Sequence, residues 1–261
     1  MHPGLLSLSV PEITAWLGQW WWPFVRISAA LWMLPVFGDS RVTTPVRMLF
    51  AAMLSLLVAP LLSGMPAVDP FALSAILLAL EQIVFGLLFG LFVQFFFLIL
   101  TMAGQILSMQ MGLAMAIMND PVNGDTAPII GQMMMIFCTL LFLALNGHLV
   151  TLELLVSSFR QWPVGSSLYH LDLDSVVNLL GWSIRSALAL CMPAVVAMLL
   201  VNLTFGVMNR VAPSLNIISL GFPMTLLLGL VAMLLSVDGV STRYLELVQQ
   251  MFASMQGMMA P

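Results

Sequence analysis

Four charged side chains lie within or near the middle of long apolar stretches of this 261-residue sequence: Arg26, Glu81, Glu153 and Arg185. Each would cost at least about 2.5–3.5 kcal/mol at the centre of a bilayer if it stayed charged and unpaired. Charges in such places either line an ion or substrate path or pair inside a protein assembly. We expect Arg26, Glu81 and Arg185 to be buried and to pair within or between subunits. A transport path lined by Glu81, Glu153 or Arg185 is the alternative.

Residues that could support enzyme chemistry are sparse. Of the three histidines, only His148 stands at a helical position, and no nucleophile motif, metal-ligand spacing or glycine-rich phosphate loop accompanies it. Cys138 and Cys191 lie in apolar runs and fit small buried hydrophobic positions. We therefore expect no catalytic residue, cofactor or metal. An intramembrane enzyme based on His148 would need a partner group that the sequence does not show.

Methionine is concentrated in one segment. Eight of the 22 methionines fall between Met102 and Met135, and the run from Met109 also contains Gly112 before it meets Asp120 and Pro121. Unbranched thioether side chains repack easily around a changing shape. The residues alone leave open whether this segment is a compliant plug or whether its methionines only fill gaps. The candidate plug residues are Met109, Gln110, Met111, Gly112, Leu113, Met115, Met118, Asp120 and Pro121.

The composition decides the class of protein. The chain is 61% hydrophobic and 7% charged, has a mean hydropathy of +1.09 and contains no lysine, whereas soluble domains are about one quarter charged. The sequence therefore predicts an integral membrane protein. Nucleic-acid binding is excluded, because phosphate neutralisation requires clustered cations.

The apolar runs predict a single all-α membrane domain over residues 1–261. We expect about six long, kinked helices, at 15–34, 46–62, 71–102, 129–159, 176–208 and 215–237. The third run, as one straight helix, would be about 45 Å long and would exceed the hydrocarbon thickness. Gly86 and Gly90 on it permit close approach of another helix. Overlong helices and buried charges favour burial among protein partners in a helical hetero-oligomer.

An amphipathic helix is predicted for the tail, residues 241–259. Its apolar side has three- and four-residue spacing, and its polar side is not cationic, which favours a protein partner over anionic lipid. The apolar side comprises Tyr244, Val248, Met251, Phe252, Met255 and Met259, and the polar side Arg243, Glu246, Gln249 and Gln250.

A set of ordered motifs resembles the flagellar biosynthetic protein FliR family, the R subunit of the flagellar type III protein export gate. The resemblance runs nearly end to end. The matching residues are Trp22–Pro23 with Arg26; Gln110–Leu113 leading to Asp120–Pro121; Leu141–Leu143 with Asn146, Gly147 and His148; Pro163–Ser166; Asn209, Arg210 and Pro213 within Asn209–Ile217; and Gly221, Phe222 and Pro223 within Gly221–Leu226.

The resemblance implies a role and not a reaction. It implies one R subunit assembled with P and Q subunits, beside the B and A export membrane proteins, in the bacterial inner membrane within the flagellar basal body. Unfolded flagellar proteins would be the substrates, membrane lipid would surround part of the gate, and the loop at 109–121 would plug the channel. The alternatives are the homologous subunit of a virulence-type injectisome and a stand-alone secondary transporter or channel.

Overall fold

The computed structural model describes residues 10–62, 65–66, 68, 72–113, 129–166, 173–211 and 217–259, and the described part is all-α. Its helices are α1 (Val10–Met33), α2 (Thr44–Val58) with a 3₁₀ turn at Ala59–Leu61, α3 (Leu73–Gln110), α4 (Ile129–Ala144), α5 (Gly147–Gln161), α6 (Leu173–Val211) and α7 (Ile217–Met259). The predicted all-α class is confirmed.

Two parts of the predicted helix pattern are divided differently in the structure. The run at 129–159 is broken into α4 and α5, because Asn146 adopts a left-handed φ of 56° that an α-helix cannot continue through. The run at 215–237 and the tail at 241–259 form the single 43-residue helix α7. No proline follows Pro223 before the helix ends, and a glycine such as Gly239 costs only about 1 kcal/mol inside a helix.

The helices are long and apolar enough for a membrane. Among the described residues, Thr44–Leu61, Leu73–Gln110 and Asp174–Val211 meet the length and hydropathy of a span, and α4 with α5 makes a fourth if the pair is one broken span. A span needs about 20 apolar residues. The chain is therefore a membrane protein, as its composition predicts.

The chain contains two compact units, one formed by residues 1–94, 146–176 and 255–261, the other by 95–145 and 177–254. α3 contributes to both. The assignment of 1–261 to a single domain stays a prediction.

Glycine contacts shape the packing of α3 on α1 in the first unit. A Cβ at Gly86 would overlap the Arg26 carbonyl oxygen and lie 2.8 Å from Ala29 Cβ. A Cβ at Gly90 would lie 2.5 Å from Met33 Cβ. Only glycine at both positions lets the two backbones approach this closely.

In the second unit, Gly104 of α3 plays the same part against α4. A Cβ there would lie 2.9 Å from the Ile130 carbonyl oxygen and 3.0 Å from Gly131 Cα. Nearby, Phe97 meets Phe142 of α4 edge-on, at 5.3 Å between ring centroids. The sequence predicts the close approach at Gly86 and Gly90 but not this second contact at Gly104.

Candidate functional site

Arg26 is the centre of a polar cluster inside the first unit. It projects from α1 and is 0% exposed. Its Nε donates to Gln82 Oε1 at 2.7 Å, its Nη2 to the Trp162 carbonyl oxygen at 2.8 Å, and its Nη1 to Ser158 Oγ at 3.3 Å. The planar guanidinium, with five donors in a fixed fork, suits such a divergent set of acceptors.

Aromatic rings enclose the same guanidinium. Its Cζ lies 4.1 Å from the ring centroid of Phe159 and 5.1 Å from that of Phe85. The Phe85 ring in turn stacks on Trp162 at 5.1 Å. Cation–π contacts of this kind are worth up to about 2 kcal/mol when desolvated. The side chain is thus held by hydrogen bonds in its plane and by ring faces around it.

Glu81 joins this cluster through its neighbour on α3. It is 7% exposed, and its Oε1 accepts from Gln82 Nε2 at 3.3 Å and from the Gly165 backbone N–H at 3.0 Å. Gln82 therefore bridges the arginine and the carboxylate: its oxygen accepts from one and its amide donates to the other. No direct Arg26–Glu81 hydrogen bond or ion pair is present in the described structure.

The turn after α5 supplies two of these groups. Ser166 N–H donates to the Pro163 carbonyl oxygen at 3.1 Å, and Gly165 has φ of 92°, as the third residue of a type II turn requires. In this turn the Gly165 N–H donates to Glu81. Three residues earlier in the chain, the Trp162 carbonyl oxygen accepts from Arg26. The family motif Pro163–Ser166 is therefore a tight turn fixed to the buried cluster.

Arg185 is not buried within this chain. The side chain is exposed, and its Nε donates to the Gly181 carbonyl one turn earlier on α6, at 3.2 Å. Glu153 is also exposed. Burial of the Arg185 side chain would therefore require a contact from outside the described part of the chain. Its pairing with another subunit stays a prediction.

In the second unit, α3 ends in a Schellman motif at the start of the candidate plug segment. Leu113 N–H donates to the Ser108 carbonyl at 3.1 Å, and Gly112 N–H to the Met109 carbonyl at 3.1 Å. Gly112 has φ of 79°, and glycine is preferred at this position because it lacks the Cβ that makes left-handed backbone costly. The sequence thus ends α3 within the first residues of the candidate plug segment.

Two side chains from other helices satisfy the last carbonyls of α3. Asn202 Nδ2 of α6 donates to the Gln110 carbonyl oxygen, and Thr225 Oγ1 of α7 donates to that of Met111, both at 3.4 Å. Helix C-terminal carbonyls have no partner within the helix. The start of the candidate plug segment is therefore tied to α6 and α7.

The Met111 side chain is buried and the Met109 side chain is exposed. Met111 is 1% exposed and forms a buried cluster with Ile130 and Met198. Met109, two residues earlier, is 63% exposed. Gln110 and Leu113 are half-buried. Met115, Met118, Asp120 and Pro121 lie outside the described residues.

The remaining motif residues are spread over the chain. Asn146 precedes α5, where Gly147 is buried and His148 is half-buried, its Nδ1 without a hydrogen-bond partner in the described part of the chain. Asn209 and Arg210 are exposed at the end of α6. Gly221 is half-buried and Pro223 exposed within α7. Pro213 and the Phe222 side chain lie outside what the structure describes.

The C-terminal part of α7 has the predicted two-sided character. Its buried residues are Tyr244, Leu247, Met251 and Met255. Arg243 and Glu246 form an exposed ion pair at 2.9 Å on the other side. Tyr244 packs edge-on against Phe96 of α3, at 5.2 Å between ring centroids. The apolar face therefore contacts this chain's own α3.

Side chains able to bind a metal do not cluster in the described residues, where no three His, Cys, Asp or Glu groups lie together. The clusters at Arg26 and Met111 offer hydrogen bonds and packing, not a reactive group. They can hold helix ends and turns in place.

Comparison with known proteins agrees with the motifs. A family model for bacterial export proteins, family 1, matches residues 17–251. Flagellar biosynthetic protein FliR of Pectobacterium carotovorum subsp. carotovorum is 33% identical over 231 residues, covering 88% of each chain. FliR of Escherichia coli strain K12 is 33% identical over 229 residues, covering 87% of each chain.

The chain belongs to the FliR family. A more distant member, FliR of Bacillus subtilis strain 168, is 27% identical over 205 residues, covering 77% of this chain and 79% of the relative. The matched region of the family model contains both the Arg26 cluster and the end of α3. With its apolar helices, the chain is a membrane-embedded component of flagellar protein export.

Sequence reasoning missed the residues that complete both clusters. Gln82 could have been found, since it is the polar neighbour of Glu81 in a strongly apolar helix. Asn202, Thr225 and Gly229 gave no such signal, because their contacts with Gln110 and Met111 join positions about a hundred residues apart.

Proposed function

We propose that this chain is the R subunit of the flagellar type III export gate in the bacterial inner membrane, assembled with P and Q subunits. It takes part in passing unfolded flagellar proteins out of the cytoplasm and has no enzymatic activity of its own. Energy for export comes from other components, among which the B and A export membrane proteins adjoin the gate. The family membership supports this proposal.

The observation that carries the proposal is the open surface of α6. This 39-residue helix would measure about 58 Å, nearly twice the hydrocarbon thickness of about 30 Å. Large apolar side chains such as Leu200 and Leu203, which is 65% exposed, lie along it, and Arg185 is exposed within the same helix. Lipid alone does not suit a helix of this length with a charge in its apolar stretch. Partner subunits do.

The flagellar role is favoured over an injectisome role because the FliR relatives of this chain are named flagellar biosynthetic proteins. A stand-alone transporter would require a polar path. Within the first unit, Glu153 is exposed, whereas Glu81 is buried and accepts from the Gly165 N–H of the turn after α5, an arrangement that does not favour a shared polar path for these two carboxylates.

Within the gate, we propose that residues 109–121 close the channel. The Schellman end of α3 supports this, because it ends the helix within the first residues of this segment. The exposed Met109 supplies a flexible apolar side chain at that point. Asp120 and Pro121 end the plug in this proposal, and the other residues of the segment form the compliant seal.

A deletion tests the plug without disturbing the anchored end of α3. Removal of residues 114–118 leaves Met109–Leu113 and their hydrogen bonds in place. We expect the complex to assemble in normal amount and the membrane to conduct ions when export is idle. Deletion of 109–118 serves as the more severe comparison. Unchanged conductance in a correctly assembled complex would contradict the plug.

A further inference from the structure

We propose that Met111 and Gly229 form a latch, in which the Met111 side chain occupies a seat on α7 that exists only because residue 229 has no side chain. The latch positions the start of the plug segment, and this inference rests on the proposed function of that segment. Met111 and Gly229 are positioning residues that act through the segment that follows them.

The seat is defined by the contact between the two residues. A Cβ placed on Gly229 would overlap Met111 Cγ and would lie 2.8 Å from both its Sδ and its Cε. The three heavy atoms nearest to such a Cβ all belong to the Met111 side chain. Gly229 is buried, and Met111 is 1% exposed. The closest neighbour of a side chain at position 229 is therefore the Met111 side chain.

The glycine at this position is otherwise unfavourable. Residue 229 lies inside α7, where alanine would stabilise the helix by about 1 kcal/mol relative to glycine. Gly239 of the same helix meets no other atom within 4 Å of a built Cβ, so its substitution changes helix propensity alone. Comparing the two positions separates loss of the seat from a change in the helix.

Hydrogen bonds to the backbone flank the seat. Thr225, one turn before Gly229 on α7, donates to the Met111 carbonyl, and Asn202 of α6 donates to the Gln110 carbonyl. Both distances are 3.4 Å, the long end of the range for hydrogen bonds. The backbone ties are therefore long, and the Met111 side chain adds a buried packing contact between this end of α3 and α7.

A methionine suits a latch that must release. Its unbranched thioether rotates about three bonds and can leave the seat without moving the helix. A cavity of about 150 Å³ lies close by, lined by residues that include Met134, Met233 and Leu107. Met233 also packs against the Met111 cluster, so neighbouring side chains have room to rearrange when Met111 withdraws.

The test uses the complete gate complex carrying Gly229→Ala, with Gly239→Ala as the matched control. The first readout is the rate at which hydrogen peroxide converts Met111 to its sulfoxide, measured by peptide mass spectrometry and compared with the same residue in the unmodified complex. The second readout is ion leak across the membrane in cells whose export is idle. Complex yield is measured for both variants.

We expect Gly229→Ala to assemble, to raise the Met111 oxidation rate several-fold and to leak, while Gly239→Ala changes neither readout. Adding Met111→Ala to Gly229→Ala should cause no more leak than Met111→Ala alone, because both changes abolish the same contact between the Met111 side chain and its seat. Wild-type protection of Met111 in Gly229→Ala would overturn the latch.

The leak readout separates the latch from the plug. If deletion of 114–118 leaks but Gly229→Ala exposes Met111 without a leak, the latch is overturned and the plug stands. If the deletion does not leak, the plug fails and the latch loses its role with it. The oxidation rate then reports only whether Met111 occupies the seat.

Discussion

The Arg26 guanidinium donates through Nε to Gln82 Oε1 across 2.7 Å, and both side chains are fully buried. Gln82 passes the connection on to Glu81 through its own amide. A glutamine thus stands between a basic and an acidic group that would otherwise be expected to pair directly. Through it, α1 and α3 are joined to the turn after α5 by a continuous set of polar contacts.

Arg26→Lys should destabilise the protein strongly although the formal charge is kept. A lysine ammonium cannot reach the divergent acceptors on Gln82, Ser158 and Trp162 together. Hydrogen bonds to charged groups contribute about 1.5–3 kcal/mol each, so loss of one or two should cost about 3 kcal/mol. Thermal unfolding in detergent measures this. Arg185→Lys is the control and should stay within about 0.5 kcal/mol, since Arg185 is exposed. Equal effects would contradict the cluster.

Substitutions of Glu81 should distinguish the effect of its hydrogen-bond acceptor oxygen from the effect of its negative charge. Glu81→Gln retains an oxygen for the Gly165 N–H, whereas Glu81→Ala removes it and also strands the Gln82 amide. We expect Glu81→Ala to cost about 1–3 kcal/mol and to lower the yield of assembled complex, with Glu81→Gln in between. A wild-type yield from Glu81→Ala would show that the contact with the turn does not contribute to assembly.

Gly86→Ala and Gly90→Ala should both loosen α1 from α3. The added methyl groups would meet backbone or Cβ atoms of Arg26, Ala29 and Met33, which cannot move aside as a long side chain can. Overpacking of this kind costs about 1–3 kcal/mol. Gly181→Ala on α6 is the control, because a built Cβ there meets nothing within 4 Å. Detergent unfolding of the three variants should rank the control as most stable, and the reverse order would refute the close approach.

Gly112 should tolerate asparagine better than alanine. Its φ of 79° lies in the left-handed region, where alanine costs about 1–2 kcal/mol and asparagine less. We expect Gly112→Ala to increase hydrogen exchange at Leu113 N–H, whose bond to Ser108 closes the motif, and Gly112→Asn to change it little. Identical exchange in both variants would argue against the Schellman end.

Composition and periodicity were sufficient to predict the fold class and the two-sided tail. Charge density of 7% excludes a soluble surface, and the spacing of Tyr244, Met251 and Met255 identifies the face that the structure buries. The break between α4 and α5 was missed. The dipeptide Asn146–Gly147 is a turn signal, but it is embedded in a long apolar run that outweighs it.

The partners of the buried groups could not be predicted. Arg26 meets Gln82 and Ser158 at separations of 56 and 132 residues, and a single sequence contains no record of such distant contacts. The burial of Arg26 followed from the apolar residues around it. Arg185 has equally apolar neighbours in the sequence and is exposed in this chain. A run of apolar residues is compatible with contact with lipid, with a partner subunit or with the chain itself, so the run alone does not predict which of these the helix makes.

The most direct test of the central claim is the composition of the complex that contains this chain. The tagged chain would be purified from its native membrane in mild detergent, and all retained proteins identified and counted by mass spectrometry. The account predicts one copy of this chain with several P and Q subunits. Recovery of the chain alone, or only with further copies of itself, would contradict the export-gate assignment.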